Sequence, residues 1–196
     1  MSTLVEQAIA AAGLEDVLLE RRAGDLRTID ANRLAASDLL VLGALADRVR
    51  AEEVGSVVRV LTSPPLGGAG VVTFPAAEEK VPCLDLLRAV AMARLTGPRS
   101  VTVRVDFGQS GLEIAQIALN FGANELMGPI VSKSGAAFAA GALAGVGKKS
   151  RLELASALKR REIEGFIHLA GRVPVFVDAE PRAPTDGRPT AQDGRP

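Results

Sequence analysis

Six polar side chains in the middle of the chain have the chemistry to bind a polar ligand. They occur where a predicted strand passes into a turn, at 104–110, and where the next predicted strand begins, at 124–125. Guanidinium groups donate hydrogen bonds, carboxylates accept them, and amides and hydroxyls do both. The sequence predicts no catalytic residue and one low-specificity binding set: Arg104, Asp106, Gln109, Ser110, Asn124 and Glu125.

Alternating strand and helix signals position these residues. Residues 100–105 alternate as a strand does, 106–111 form a turn, and residues 112–121 carry a broad apolar surface at helical spacing. Gly122 is a candidate helix terminator, and residues 125–127 form a short strand. Helices and strands that alternate with short connections predict a parallel sheet built from β-α units.

The remaining chain continues this pattern. A strand is predicted at 56–62, a second at 71–74, and a glycine-rich loop at 63–70 lies between them. The loop lacks both the P-loop ending and the dinucleotide-binding glycine spacing, so a connector is the favoured interpretation over a phosphate site. Helices are predicted over residues 3–19 with a break at Gly13, and over 28–34, 39–50, 84–95 and 152–158.

Cys83 and His168 are isolated residues whose side chains could take part in a reaction. Cys83 opens a predicted helix, where a thiol pKa can be lowered, but a small apolar role is favoured over that of a nucleophile. His168, the only histidine, lies between Ile167 and Leu169, and a structural role is favoured for it. Basic clusters near 148–151 and 159–161 alternate with glutamates and indicate solvated helices.

Composition limits the function further. The 196 residues, 47% of them hydrophobic, predict a single α/β domain over 1–178 and a disordered tail rich in Pro, Gly and charge over 179–196. Twenty-three basic and 23 acidic residues, with six Phe and no Trp or Tyr, argue against nucleic-acid binding. No apolar run approaches the roughly 20 residues of a membrane span, and the lone cysteine forms no internal disulfide, so we expect a cytoplasmic protein.

Three segments resemble one enzyme family. The string AQIALNFGANEL at 115–126, followed by Gly128, resembles a late βα unit of the radical SAM enzymes of the futalosine route to menaquinone and of the related FO synthase subunits. The string ASDLLVLGALADRVR at 36–50 is similar to the helix before that family's first barrel strand. The string EIEGFIHLAGRVPV at 162–175 is similar to its terminal helix, turn and last strand.

The resemblance implies an incomplete (β/α) barrel-like parallel sheet with flanking helices. It also shows two departures from the family. A three-cysteine motif holds a [4Fe–4S] cluster after the first strand in that family, but residues 63–68 read SPPLGG and the chain has one cysteine. After Gly128, the string PIVSKSG lacks the family's acidic pair. We therefore expect no iron–sulfur cluster, no bound S-adenosylmethionine and no metal site.

Two functional hypotheses follow. The first is a non-catalytic relative, a pseudoenzyme that acts as an accessory, scaffolding or regulatory protein in menaquinone biosynthesis and associates with itself or with an intact radical SAM paralogue. The second is a cluster-independent enzyme or binding protein for a small polar, nucleoside-like metabolite of that pathway. A gene product that has lost its function is a third interpretation.

Overall fold

The computed structural model describes residues 3–62, 70–75, 81–131, 137–138 and 158–177. The predicted loop at 63–69, the helix predicted over 152–158 up to its last residue, and the tail over 179–196 lie outside them. The described helices are α1 (Thr3–Ala11), α2 (Glu15–Ala23), α3 (Ala31–Ala36), α4 (Leu39–Glu53), α5 (Cys83–Thr96), α6 (Phe107–Ser110), α7 (Leu112–Leu119) and α8 (Arg160–Leu169).

The strands form one five-stranded parallel sheet in the order β2-β3-β4-β1-β8 and a small second sheet in the order β6-β5-β7. This confirms the prediction of an α/β fold built on parallel strands. The strands are β1 (Val57–Leu61), β2 (Val71–Phe74), β3 (Thr102–Asp106), β4 (Glu125–Met127), β5 (Ile130–Val131), β6 (Ala137–Phe138), β7 (Leu158–Lys159) and β8 (Val173–Val177).

Local signals explain most element boundaries. The side chain of Asp38 accepts hydrogen bonds from the amides of Leu40 and Val41 at the start of α4, as the sequence predicts. The helix predicted over 28–34 begins at Ala31, because the Asp30 carboxylate accepts hydrogen bonds from the amides of Asn32 and Arg33 and is its N-cap. Residues 107–110, predicted as a turn, close into a single helical turn. None of the described helices has the length and apolarity needed to cross a membrane.

The main sheet has two different sides. Val58, Val60, Val103, Val105 and Leu126 point to one side and are fully buried. They belong to one hydrophobic cluster with side chains of α4, α5, α7 and α8, so these four helices pack on that side. On the other side the strand residues alternate out of the cluster, and three valines there keep 40–49% of their surface exposed: Val57, Val173 and Val175.

Three buried arginines tie the helices to the turns that lead into the strands. The Arg21 guanidinium on α2 forms an ion pair with Glu53 at 2.6 Å and donates to the carbonyl of Leu95. The Arg50 guanidinium on α4 donates to Asp47 and to the carbonyl of Gly55. The Leu95 carbonyl lies in the last turn of α5 and the Gly55 carbonyl follows α4, so both need a donor from outside the helix. The arginines therefore hold the amino-terminal end of the sheet together.

Arg94 on α5 is the most enclosed of the three. Its guanidinium donates to the carbonyls of Gly122 and Val101 and to Oδ1 of Asn124, at 2.7–3.0 Å. Burial is the largest cause that lowers its pKa, to about 10, so the group stays charged at neutral pH. Gly122 has φ of +99°, and a Cβ there would lie 2.8 Å from Cβ of Arg94. The close approach of this turn to Arg94 thus requires glycine.

We predict that Arg94→Met lowers the free energy of unfolding by roughly 3–5 kcal/mol, because it removes a charge-assisted hydrogen bond from each of three buried acceptors. Urea unfolding followed by circular dichroism measures the change. Arg27 is exposed, and Arg27→Met is the matched control, with an expected change within about 0.5 kcal/mol. A loss of similar size in both variants would contradict the assigned role of Arg94.

We also predict an acid-dependent link between α2 and α4. The Glu52 carboxylate accepts hydrogen bonds from Arg22 and Arg48, and chiefly the Arg22 bond lowers its pKa from 4.5 to about 2. A lowered folded-state pKa stabilises the fold above the unfolded value, and this contribution disappears as the pH falls towards 2. The stability difference between the wild-type chain and Glu52→Gln should be constant above about pH 5 and shrink below pH 4.5. A constant difference down to pH 2 would contradict the link.

Candidate polar-ligand site

One row of side chains crosses the main sheet on the side away from the packed helices. The strand register places Thr73 beside Arg104, Arg104 beside Glu125, Glu125 beside Arg59, and Arg59 beside Val175. Partners at the same level of neighbouring parallel strands point to the same side. Four polar residues from four strands therefore meet in one line.

The centre of this row is an ion-paired group of three residues, which we call the Arg–Glu–Arg triad: Arg59, Glu125 and Arg104. Nε of Arg104 donates to Oε1 of Glu125 at 2.6 Å, and Nε of Arg59 lies 3.4 Å from Oε2. The Glu125 side chain is 2% exposed, that of Arg104 10% and that of Arg59 47%. A buried carboxylate is thus held between one enclosed and one solvent-facing arginine.

Burial of Glu125 requires this arrangement, because an isolated carboxylate out of water is strongly unfavourable. Arg104 satisfies one carboxylate oxygen with a short charge-assisted bond, and Arg59 faces the other. Arg104 also reaches Oγ1 of Thr73 through Nη1, at 3.5 Å, which is a weak contact. The triad carries two positive charges and one negative charge.

A second polar group lies at the carboxyl end of β3. The Asp106 carboxylate accepts hydrogen bonds from the amide of Gly108 and from Nε2 of Gln109, each at 2.8 Å. The Ser110 hydroxyl donates to the backbone carbonyl of Asp106 at 2.8 Å. These contacts stabilise the single turn α6 and hold three of the predicted binding residues together. Carboxyl ends of parallel strands are the usual location of ligand sites in such sheets.

Asn124 is separated from the other five predicted residues. Its Oδ1 accepts hydrogen bonds from Nη2 of Arg94 at 2.7 Å and from the amide of Val103 at 2.8 Å. It precedes Glu125 in the chain, and adjacent strand residues point to opposite sides of a sheet. The structure therefore brings Asn124 to the buried arginine on the helix-packed side, whereas Arg104 and Glu125 lie in the triad.

Sequence reasoning did not include Arg59 and Thr73 among the candidate residues. The strand pattern does indicate that Arg59 lies on the side of β1 opposite Val58 and Val60, because it alternates with these two buried residues. The sequence did not show which strands are neighbours, and β1 pairs with β4 although Arg59 and its partner Glu125 are 66 positions apart in the chain. Only the sheet order brings Arg59 to Glu125.

Two surface clefts lie elsewhere. One, of about 390 Å³, lies between α1, α2 and α4 and is lined by residues that include Glu6, Leu18 and Arg22. The other, of about 360 Å³, is lined by residues that include Leu40 and Phe121. Both volumes suit a small ligand, yet neither lining includes the triad or the Asp106 turn. The Glu125 and Arg104 side chains of the triad are nearly enclosed, at 2% and 10% exposed, whereas the Arg59 side chain is 47% exposed.

The structure also shows where the two isolated reactive side chains, Cys83 and His168, lie. Cys83 is exposed at the start of α5, and His168 is exposed on α8. Within the described part of the chain, no group of three or more His, Cys, Asp and Glu residues is arranged to hold a metal ion. The family's iron–sulfur cluster does not fit this chain, because one cysteine cannot supply its three thiolate ligands.

Comparison with known proteins adds no relative. No protein-family model matches the chain, and no curated protein matches it significantly. The similarity to radical SAM enzymes therefore rests on the three sequence segments alone and stays a prediction.

We predict that the two arginines of the triad differ in their effect on stability. Arg104→Met removes the short bond to a buried carboxylate and should lower the free energy of unfolding by roughly 3 kcal/mol or more. Arg59→Met removes a longer contact from a half-exposed side chain and should cost no more than about 1 kcal/mol. Urea unfolding of both variants measures the contrast. Equal losses would contradict the unequal roles assigned to the two arginines.

Proposed function

We propose that this protein is a non-catalytic relative of the radical SAM enzymes of the futalosine route, and that it acts as an accessory protein in menaquinone biosynthesis. The observation that carries the proposal is a group of exposed valines on the side of the main sheet away from α4, α5, α7 and α8. Parallel sheets are usually covered on both faces. Here the side away from α4, α5, α7 and α8 exposes Val57, Val173 and Val175, three apolar side chains on two adjacent strands.

The strand pairing supports a barrel-like origin. β1 pairs with β8 along five consecutive residues, and a first strand beside a last strand is the pairing that closes a barrel. The order differs from that of a complete barrel, because β1 lies between β4 and β8 and β2 lies at the edge of the sheet. We therefore interpret the sheet as a rearranged barrel segment, and infer that the exposed valines of β1 and β8 on its inner side contact another chain.

The partner that we propose is an intact radical SAM enzyme of the same pathway. The chain lacks cysteine ligands at 62–70, where the resemblance places them, so catalysis has to come from the partner. The exposed valines, with Arg59 on β1 beside Val175 of β8, provide an apolar surface with one positive charge. Such a surface fits a partner face that is apolar and carries a carboxylate.

We predict that the purified chain co-elutes with a purified intact enzyme of the pathway in gel filtration with light scattering. Val175→Lys should weaken this association at least tenfold, because it places a charge in the apolar surface. Leu84→Lys is the matched control, since Leu84 is exposed on α5 on the helical side of the protein, and it should leave association unchanged. Monomeric wild-type chain with every enzyme tested would contradict the accessory role, whereas self-association would assign the surface to a second copy.

A second candidate function is binding of a small polar metabolite, and the Arg–Glu–Arg triad with the Asp106 turn favours it. Charged and amide side chains gathered on one side of a sheet provide several donors and acceptors within a short distance. Incubation of the native chain with a polar-metabolite extract, followed by rapid gel filtration and mass spectrometry, should recover an enriched compound. Heat-denatured chain is the control, and equal recovery from both samples would contradict this function.

A further inference from the structure

Arg59 and Arg104 lie on the same side of the sheet, and among the described residues some of their hydrogen-bond donors have no acceptor. Each guanidinium has five N–H groups. In the described part of the chain, Arg104 uses Nε for Glu125 and Nη1 weakly for Thr73, and Arg59 uses only its long contact to Glu125. Nη2 of Arg104 and both terminal nitrogens of Arg59 have no hydrogen-bond partner there.

Glu125 holds the two guanidinium groups in place. Its two carboxylate oxygens face the Nε atoms of different arginines, one on each neighbouring strand. Both arginines therefore direct Nε to one carboxylate at the centre of the row. Pre-positioned arginines lose less conformational freedom on binding than free ones do.

The remaining charge at this position is positive. Two arginines face one glutamate, and Asp106, the next carboxylate along β3, already accepts hydrogen bonds from the Gly108 amide and from Gln109. Arginine pairs that keep free terminal N–H groups bind planar or tetrahedral oxyanions through two or more charge-assisted hydrogen bonds. Since 47% of the Arg59 side chain is exposed, an anion reaches the triad from solvent.

We propose that the Arg–Glu–Arg triad is an anion-binding site for the carboxylate or phosphate group of a small metabolite. Arg59 and Arg104 are the binding residues, and Glu125 is a positioning residue that acts as their internal counter-ion. This inference rests on the second proposed function and gives its ligand an acidic group. The site needs no metal and no covalent step.

The test uses the full chain with inorganic phosphate and with succinate, each titrated by isothermal calorimetry at constant ionic strength with chloride as the balancing salt. Saturable binding of at least one anion is expected. Phosphate alone would assign a phosphoryl ligand, and succinate alone a carboxylate ligand. No saturable binding of either anion would overturn the proposal.

Matched variants separate an anion site from general surface charge. Arg59→Gln should weaken binding roughly tenfold or more, because it removes one charged donor group. Arg27→Gln makes the same charge change at an exposed position remote from the sheet row and should bind as the wild-type chain does. Equal affinity in the wild-type chain and Arg59→Gln would overturn the assignment to the triad.

Glu125→Gln tests whether Glu125 acts as the internal counter-ion of the two arginines. The variant leaves two arginines without their counter-ion, so an added anion takes the place of the missing carboxylate. The rise in melting temperature that phosphate or succinate causes should be larger for Glu125→Gln than for the wild-type chain. An equal or smaller rise would contradict the proposal.

Different experimental results would contradict the metabolite-binding function and the anion site. Should the native chain recover a metabolite from the extract and Arg59→Gln recover it equally well, the binding function stands and the anion site is overturned. Should the native chain recover no metabolite and bind neither anion, both the metabolite-binding function and the anion site fail.

Discussion

The described fold depends on how buried carbonyl groups at the amino-terminal end of the main sheet find donors. Arg94 satisfies the backbone of two turns and the side chain of Asn124, and Arg21 and Arg50 satisfy carbonyls after α5 and α4. A guanidinium serves this purpose because its donors spread in one plane and reach several acceptors at once. The arginines thus hold helices and strands together at the end of the sheet that is remote from the Asp106 turn.

The side chains that stabilise the fold and the side chains that could bind a ligand therefore lie in different parts of the molecule. Side chains of one sheet face and of four helices form the hydrophobic cluster, and the buried arginines close it at one end. The Arg–Glu–Arg triad lies on the opposite face, where Arg59 remains accessible to solvent. A substitution of Arg59 therefore tests function with little loss of folding stability. Substitutions of charged groups in the interior of a sheet rarely have so small an effect.

The accessory and metabolite-binding proposals use the same face of the sheet in different ways. The exposed valines of β1 and β8 suit a protein partner, and the triad on β1, β3 and β4 suits a small anion. Arg59 is common to both, because it lies on β1 between Glu125 and Val175 in the row. An acidic metabolite bound there would change the charge of the surface that a partner meets.

The sequence by itself determined the α/β class, most of the helices and strands, and five of the seven polar residues that lie on one side of the sheet and at its carboxyl end. These features follow from local periodicity, turn residues and helix caps such as Asp38, which act over a few residues. Only the tertiary structure decided that β1 lies between β4 and β8, that Arg59 meets Glu125, and that Asn124 serves Arg94. Strand order depends on contacts between residues far apart in the chain, and the alternation of a single strand does not encode its neighbours.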